Sequence, residues 1–481
     1  MPKGLQNLID RLSRVGAIAL RGRMIRPVLA AAALGGVLAG GVLIASSCRS
    51  AGRTVAIGSA ASGDRVDPPL SMSSASADVV RDEPLVRVRV RRSAASATLP
   101  GRGQWVVSAA GSRVGEAVAA PARVVASGGG IRVIDGRGRV SGFGPGVTVF
   151  AAPRTAVDGS GWSGLDRDEY PGTLRLVPRD DPKAFDVINV VSVERYLPGV
   201  ISRELLSHWH PTAFRAQAVA ARTFALSRRE AARKSGKHFD VENTTRDQVY
   251  GGRTGLAVAH QAVHDTRGIV LVEGGGLGDA VYSSTCGGRP ASPSEVWPDP
   301  VSASVVVPAS IADGSDARRS GVRLRETLCD DAPLYRWSVV RRTEDLARRL
   351  RSWGAANGRA DLASLRRLTG IRPIASGVSG RPVRFEITGS RGSTIEITAE
   401  RLRLACNAPA EGLPAIDRRA RVQSNDLSFD VSSRLVRIEG RGFGHGAGMC
   451  QYCAAAMADR GDHFRDALAA FYPGLALRRV Y

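Results

Sequence analysis

The chain has 481 residues, enough for two or three domains or for one elaborated domain behind an anchor. Hydrophobic residues make up 43%, sufficient for a packed core, while 5% aromatic content excludes a core built mainly on rings and leaves Ala, Val and Leu to fill it. The net charge of +22, mostly arginine, suits nucleic acid, an anionic membrane or an acidic polymer, and equally an arginine-rich background.

In chain order, residues 1–26 form a basic segment with Lys3, Arg11, Arg14, Arg21, Arg23 and Arg26 against a single Asp10. Residues 27–47 carry no charge, and the apolar part, 28–45, is about long enough to cross a bilayer; the positive flank keeps the N-terminus inside. The rest of the chain is therefore read as exported, on the periplasmic or wall side of a membrane. A retained signal anchor is the first reading, and a signal peptide or a lipoprotein acylated at Cys48 after Ala45-Ser-Ser is the second. Residues 48–82, rich in Ser, Ala, Gly and Asp, read as a tether.

The folded unit is expected over 83–481. Strict alternation in Leu85-Val-Arg-Val-Arg-Val-Arg91 marks a first strand. Segments 131–134, 147–151 and 174–177, separated by glycines, continue a β-rich region, and the apolar run 187–193 reads as a buried strand. Residues 194–206 turn helical, with a break expected at Pro198-Gly199. Pro211 suits a first helical turn, and nothing interrupts a helix from there to about 233 that places Arg215, Ala218 and Arg222 on one face. Beyond Trp297 lies a long insert, 301–439, with a helix near 343–353 and strands at 383–387 and 394–398. Strands and helices are segregated, so the expected class is α+β: a β-rich domain with a helical catalytic segment and an inserted β-rich subdomain.

Two distant stretches carry the chemistry. Glu204-Leu-Leu-Ser-His-Trp-His-Pro211 sets a carboxylate ahead of an alanine-rich helix, and Gly442-Phe-Gly-His-Gly-Ala-Gly-Met-Cys-Gln-Tyr452 is a glycine loop exposing one imidazole before another helix. Together with Glu194-Arg-Tyr-Leu-Pro-Gly-Val200, Asp247-Gln-Val-Tyr-Gly251, Ala280-Val-Tyr-Ser-Ser-Thr-Cys-Gly-Gly288, Val296-Trp297 and Phe471-Tyr-Pro-Gly474, these stretches resemble the SpoIID/LytB family of bacterial cell-wall proteins over 170–300 and 440–475.

The resemblance implies lytic transglycosylation of peptidoglycan glycan strands. One carboxylic acid protonates the oxygen between N-acetylmuramic acid and N-acetylglucosamine. The same group then takes the proton of the muramyl 6-hydroxyl, which closes onto C1 as a 1,6-anhydro ring. Glu204 falls on the family's catalytic carboxylate, with Leu205, Leu206 and Trp209 to desolvate it and Trp209 as a stacking face; a solvated helix glutamate is the plain alternative. Arg222 matches a family arginine, read either as a substrate ligand or as a salt bridge to Glu194 or Glu242. Gln217, Gln248, Tyr250, Ser283, Ser284 and Gln451 complete the substrate-binding set, with a structural role open for Gln248. His445 either polarises a sugar hydroxyl or is satisfied by backbone.

No metal or cofactor is expected. Cys450-Gln-Tyr-Cys453 has zinc-like spacing but would need two further ligands nearby, and His238 with scattered carboxylates makes no closed site. Cys450 is instead expected to form a disulfide to a distant cysteine; with Cys286, Cys329, Cys406 and Cys453 the count is odd, and pairing cannot be read from spacing. The glycine loop lacks a following Lys-Ser/Thr, which excludes nucleotide binding, and no G-x-S-x-G signals a serine hydrolase. Nucleic acid is disfavoured as a partner for want of a recognition helix or interleaved aromatics. The expected partners are glycan strands, the membrane through the N-terminal segment and, if the chain is instead a non-catalytic enhancer, a cell-wall amidase.

Overall fold

The computed structural model describes residues 83–156, 161–297 and 327–481; the anchor 27–47, Cys48, the tether and part of the insert lie outside the described residues. The architecture is mixed, with more strand than helix. No helix among the described residues is long and apolar enough to cross a membrane.

A seven-stranded sheet forms the first layer, in the order Val241–Glu242, Leu85–Ala94, Phe185–Ser192, Thr173–Pro178, Val149–Pro153, Gln104–Ala109 and Glu116–Ala119. The arginine–valine alternation of the first strand does what a period of two requires: Val86, Val88 and Val90 enter the core. Arg89, on the other face, bonds Asp186 at 3.1 Å and Glu242, and lies over the Phe239 ring. A four-stranded sheet over Ser96–Leu99, Ala122–Ser127, Gly130–Ile134 and Val140–Phe143 shares the same hydrophobic core.

The strand Phe185–Ser192 leads directly into the helix Val193–Glu204. The break expected at Pro198-Gly199 does not occur: the helix runs through Pro198 and ends at Glu204. Burial of Val193, Tyr196, Leu197, Val200 and Ile201 outweighs the one hydrogen bond a proline withholds. Gly199 is required there, because a Cβ would overlap the Gly252 carbonyl and the Tyr250 ring.

The helix Pro211–Lys234 is the partition of the molecule. His210 caps it by accepting the Thr212 N–H at 3.2 Å, and Pro211 takes the first position. Phe214, Ala218, Ala221 and Ala225 pack into the sheet core, whereas Ala216, Val219 and Ala220 pack into a second core. Short side chains let both layers approach the same helix. The second core also holds Ile269 and Leu271 and the C-terminal helices Gln451–Asp459 and Phe464–Phe471, contributing Met457, Leu468 and Phe471. A two-residue parallel bridge pairs Tyr282 with Met449 and Ser283 with Cys450, and this joins the C-terminal motif to the middle of the chain.

The insert has its own core of Leu346, Leu350, Phe385, Ile387, Ile397, Leu402, Val436 and Ile438. It is built from two three-stranded sheets and the helices Thr343–Ala356 and Ala399–Cys406.

Candidate active site

Glu204 closes its helix with a half-buried side chain. Gln451, the first residue of its own helix, donates from Nε2 to Glu204 Oε2 at 3.3 Å and to Gln217 Oε1 at 3.4 Å. The Val249 backbone amide supplies a second bond to the Glu204 carboxyl. Burial raises the Glu204 pKa above the ordinary glutamate value, and these two donors offset it only in part. Tyr282 stands beside the carboxyl; burial first, then the Glu204 charge, hold its phenol protonated. The arrangement is one carboxyl that holds its proton more tightly than an ordinary glutamate, with two donors facing its ionised form.

Two buried polar atoms here have no protein partner, Gln217 Nε2 and Ser283 Oγ. Left unmade, each such bond costs about 1–3 kcal/mol, so both sites favour a polar group arriving from outside the protein. Trp209 is half-buried and meets Tyr452 edge-on at 4.9 Å between centroids, keeping part of its ring free. Ser284 is half-exposed and accepts the Tyr452 N–H on its carbonyl at 3.1 Å.

Three residues of the expected substrate-binding set have partners inside the protein, the structural alternative already open for Arg222 and Gln248. Arg222 is fully buried, and its guanidinium donates to both Glu194 oxygens at 2.9 and 2.8 Å and to the carbonyls of Val263 and Ile269 at 3.2 and 3.1 Å. It is a pin holding the long helix, with no donor turned to a cleft. Burial pushes the Glu194 carboxyl up, and Arg222, the Tyr481 hydroxyl and the Gly268 amide together overcome it, leaving Glu194 below the ordinary range. Gln248 is saturated: Nε2 donates to Tyr282 Oη at 2.9 Å and to the Ala221 carbonyl at 3.2 Å, and Oε1 accepts from Tyr196 Oη at 3.1 Å. Tyr250 is core, packed on Tyr170 and Tyr196 and donating to Asn189 Oδ1 at 3.1 Å. Their block contributes to Glu204 through the main chain of Val249 instead.

His445 accepts the Ala447 N–H on Nδ1 at 3.1 Å and packs on Trp297 at 4.8 Å. Burial lowers its pKa to about 4, against the opposing pull of Glu400, so the imidazole is neutral at physiological pH. Among the described residues no hydrogen bond joins it to Glu204. The glycines around it serve the backbone. Gly446 lies where a Cβ would overlap the guanidinium of Arg381, a buried residue of the insert that donates to Asn425 Oδ1 at 3.0 Å and to the Arg289 carbonyl at 2.7 Å.

All five described cysteines are free thiols, so the disulfide expected from Cys450 is not formed. The premise used against zinc also fails, because Cys286 and Cys329 stand beside Cys450 and Cys453. A separate hollow lined by Arg289, Arg336, Trp337, Asp426 and Arg441 contains neither Glu204 nor Gln451.

Comparison with known proteins finds similarity in two parts of the chain. Residues 181–272 match the family described as stage II sporulation protein, SpoIID, and residues 322–448 match a domain of unknown function, DUF8618. The chain is 29% identical over 341 residues to the amidase enhancer of Bacillus subtilis (strain 168), covering 65% of this chain but only 44% of that protein. It is 27% identical over 313 residues to an uncharacterized protein of Brachyspira hyodysenteriae, covering 65% and 73% respectively. Stage II sporulation protein D of Bacillus subtilis (strain 168) is 23% identical over 319 residues, covering 63% of this chain and 80% of that one. The matched stretch 181–272 spans Glu204 and its helix, and over that stretch the chain is similar to the SpoIID/LytB family.

Proposed function

We propose that this chain is an exported lytic transglycosylase, tethered to a membrane through residues 27–47, that cleaves peptidoglycan glycan strands between N-acetylmuramic acid and N-acetylglucosamine. The observation that carries the reading is the half-buried Glu204 carboxyl, raised in pKa by burial and held by Gln451 and the Val249 amide. A carboxyl that burial makes a weaker acid holds its proton longer as pH rises and can give it to the glycosidic oxygen. Once ionised, it is stabilised by the same two donors and accepts the proton of the muramyl 6-hydroxyl as that oxygen bonds to C1. Glycosidases that use water need a second carboxylate. Glu194, in the helix's first turn, is engaged by Arg222 and Tyr481 and is unsuited to that part. The unpartnered Gln217 Nε2 and Ser283 Oγ, with the free part of the Trp209 ring, supply amide, hydroxyl and stacking contacts for amino sugars.

A second reading is favoured by the relative named amidase enhancer: the same cleft binds glycan without cutting it and raises the activity of a cell-wall amidase. Glu204→Gln separates the two. The amide keeps the shape and still hydrogen-bonds, but cannot donate and retake a proton, a contribution of about 10²–10⁴-fold. Wild type should release 1,6-anhydro-muramyl ends without solvent ¹⁸O at C1, and the variant should bind denuded glycan and release almost none. Solvent ¹⁸O in the product would mean hydrolysis. No release by wild type, with an amidase accelerated equally by both forms, would establish the enhancer.

A further inference from the structure

Four cysteines from three separated segments meet in the second core. Cys286 follows the strand Tyr282–Ser283, Cys329 follows the undescribed part of the insert, and Cys450 and Cys453 flank Gln451 at the start of the helix Gln451–Asp459. All four are buried, and their sulfurs lie within 4.8 Å of one another. Cys286 Sγ is 3.7 Å from Cys329 Sγ and 3.9 Å from Cys453 Sγ. A disulfide requires about 2.05 Å between sulfurs. Four thiolates bound to zinc at about 2.3 Å sit about 3.8 Å apart along each tetrahedral edge. The observed separations have the second spacing.

The surroundings suit thiolates. The backbone amides of Cys286 and Cys453 donate to Cys450 Sγ at 3.3 and 3.4 Å, the kind of outer contact that orients a sulfur ligand and carries part of its charge. Cys450 also caps its helix, where the first-turn amides favour a negative group. We propose that Cys286, Cys329, Cys450 and Cys453 form a closed, structural four-thiolate site for a tetrahedral divalent metal, zinc by its preference for this ligand set. Four protein ligands leave no position open, so the metal acts by holding chain segments together. Gln451, the residue that reaches Glu204, lies between two of the ligands, so the metal fixes the main chain on both sides of it. This last consequence rests on the reading of Glu204 as the acid; the metal site does not.

The full-length chain, produced with zinc in the medium and purified under reducing conditions, should carry one zinc per chain by elemental analysis. Exchange with Co²⁺ should give the visible bands and near-ultraviolet charge transfer of a tetrahedral tetrathiolate. Cys329→Ser and Cys453→Ser should each weaken metal binding at least tenfold, while Cys406→Ser, remote from the cluster, should leave it unchanged. If the ligand variants do not fold, the cobalt spectrum of wild type decides alone. A zinc-supplied chain that is metal-free, with the four cysteines in two disulfides by non-reducing peptide mapping, would overturn the site, as would equal loss of metal in Cys406→Ser. A zinc-loaded chain that cuts no glycan would remove the functional reading and leave the metal site standing. Undiminished cleavage by a chain stripped of zinc would overturn the link to Gln451.

Discussion

Replacing Arg222 by methionine separates a pin from a ligand. The side chain is fully buried and makes two charge-assisted bonds to Glu194, at 2.9 and 2.8 Å. Methionine fills much of the volume and removes the cation. Glu194 keeps the Tyr481 hydroxyl at 2.5 Å and the Gly268 amide at 3.1 Å, so the loss falls near the lower end of the ~3–5 kcal/mol typical of a broken buried pair. With unfolding entropy near 2.1 cal/mol/K per residue over roughly 400 folded residues, ~3 kcal/mol lowers Tm by ~4 °C. The pH dependence has a definite sign. In wild type, Glu194 sits below its ordinary value, so its contribution is present above the ordinary carboxylate pKa and is lost as pH falls through the folded value. Without the guanidinium, burial raises Glu194, so the variant loses stability as pH rises instead. The gap between the two proteins should be widest at pH 7 and narrow toward pH 4, and adding Glu194→Gln should recover part of it. Thermal unfolding by circular dichroism reads the gap, and co-sedimentation with denuded glycan reads binding, which should persist. An unchanged Tm together with weakened glycan binding would refute the argument and return Arg222 to the cleft.

Gln451→Ala removes one donor to the Glu204 carboxylate, so the Glu204 pKa should rise further and the high-pH limb of activity should move upward. Turnover should fall about 10–100-fold for a lost bond to a charged group worth ~1.5–3 kcal/mol, and an unmoved limb would contradict the assignment. The His445 ring should show no NMR titration near 6.5 and should protonate only near pH 4. Because its folded value is lowered, stability should fall as pH drops through that interval, and His445→Gln should abolish that part of the fall. Gly448→Ala forces a side chain onto φ +65° and into the Val281 carbonyl, so it should cost more than the ~1–2 kcal/mol of the left-handed conformation alone; an unaltered Tm would disprove this.

Local pattern reported local structure well. The strand Thr394–Thr398 and the helix beginning at Pro211 follow directly from alternation and from proline at a first turn. Pro198 misled because the apolar residues around it bury enough surface to carry a helix across the missing amide. The two stretches that the sequence singled out do meet, through Gln451 and Glu204. Arg222, Gln248 and Tyr250 lie in the same set of motifs but are spent on partners inside the protein; the Glu194 pair and a structural Gln248 are among the alternatives read from the sequence, and residue type alone does not choose between them. Val249 contributes only a backbone amide and so leaves no side-chain signature. The cysteine cluster was hidden for a related reason: its members come from segments whose convergence depends on the Tyr282–Met449 bridge, a tertiary event of two residue pairs.

The distance along the chain between Glu204 and Gln451, 247 residues, has a consequence in time. A ribosome delivers the glutamate well before the glutamine, and during that interval the carboxyl stands in water at ordinary acidity, without the burial that raises its pKa in the folded chain. Closing so long a loop costs ~5 kcal/mol of chain entropy, which only the docked C-terminal core repays, and contacts of such range form slowly. On the proposed reading of Glu204 as the acid, the nascent chain would be chemically silent until the segment carrying Gln451 has been made and docked.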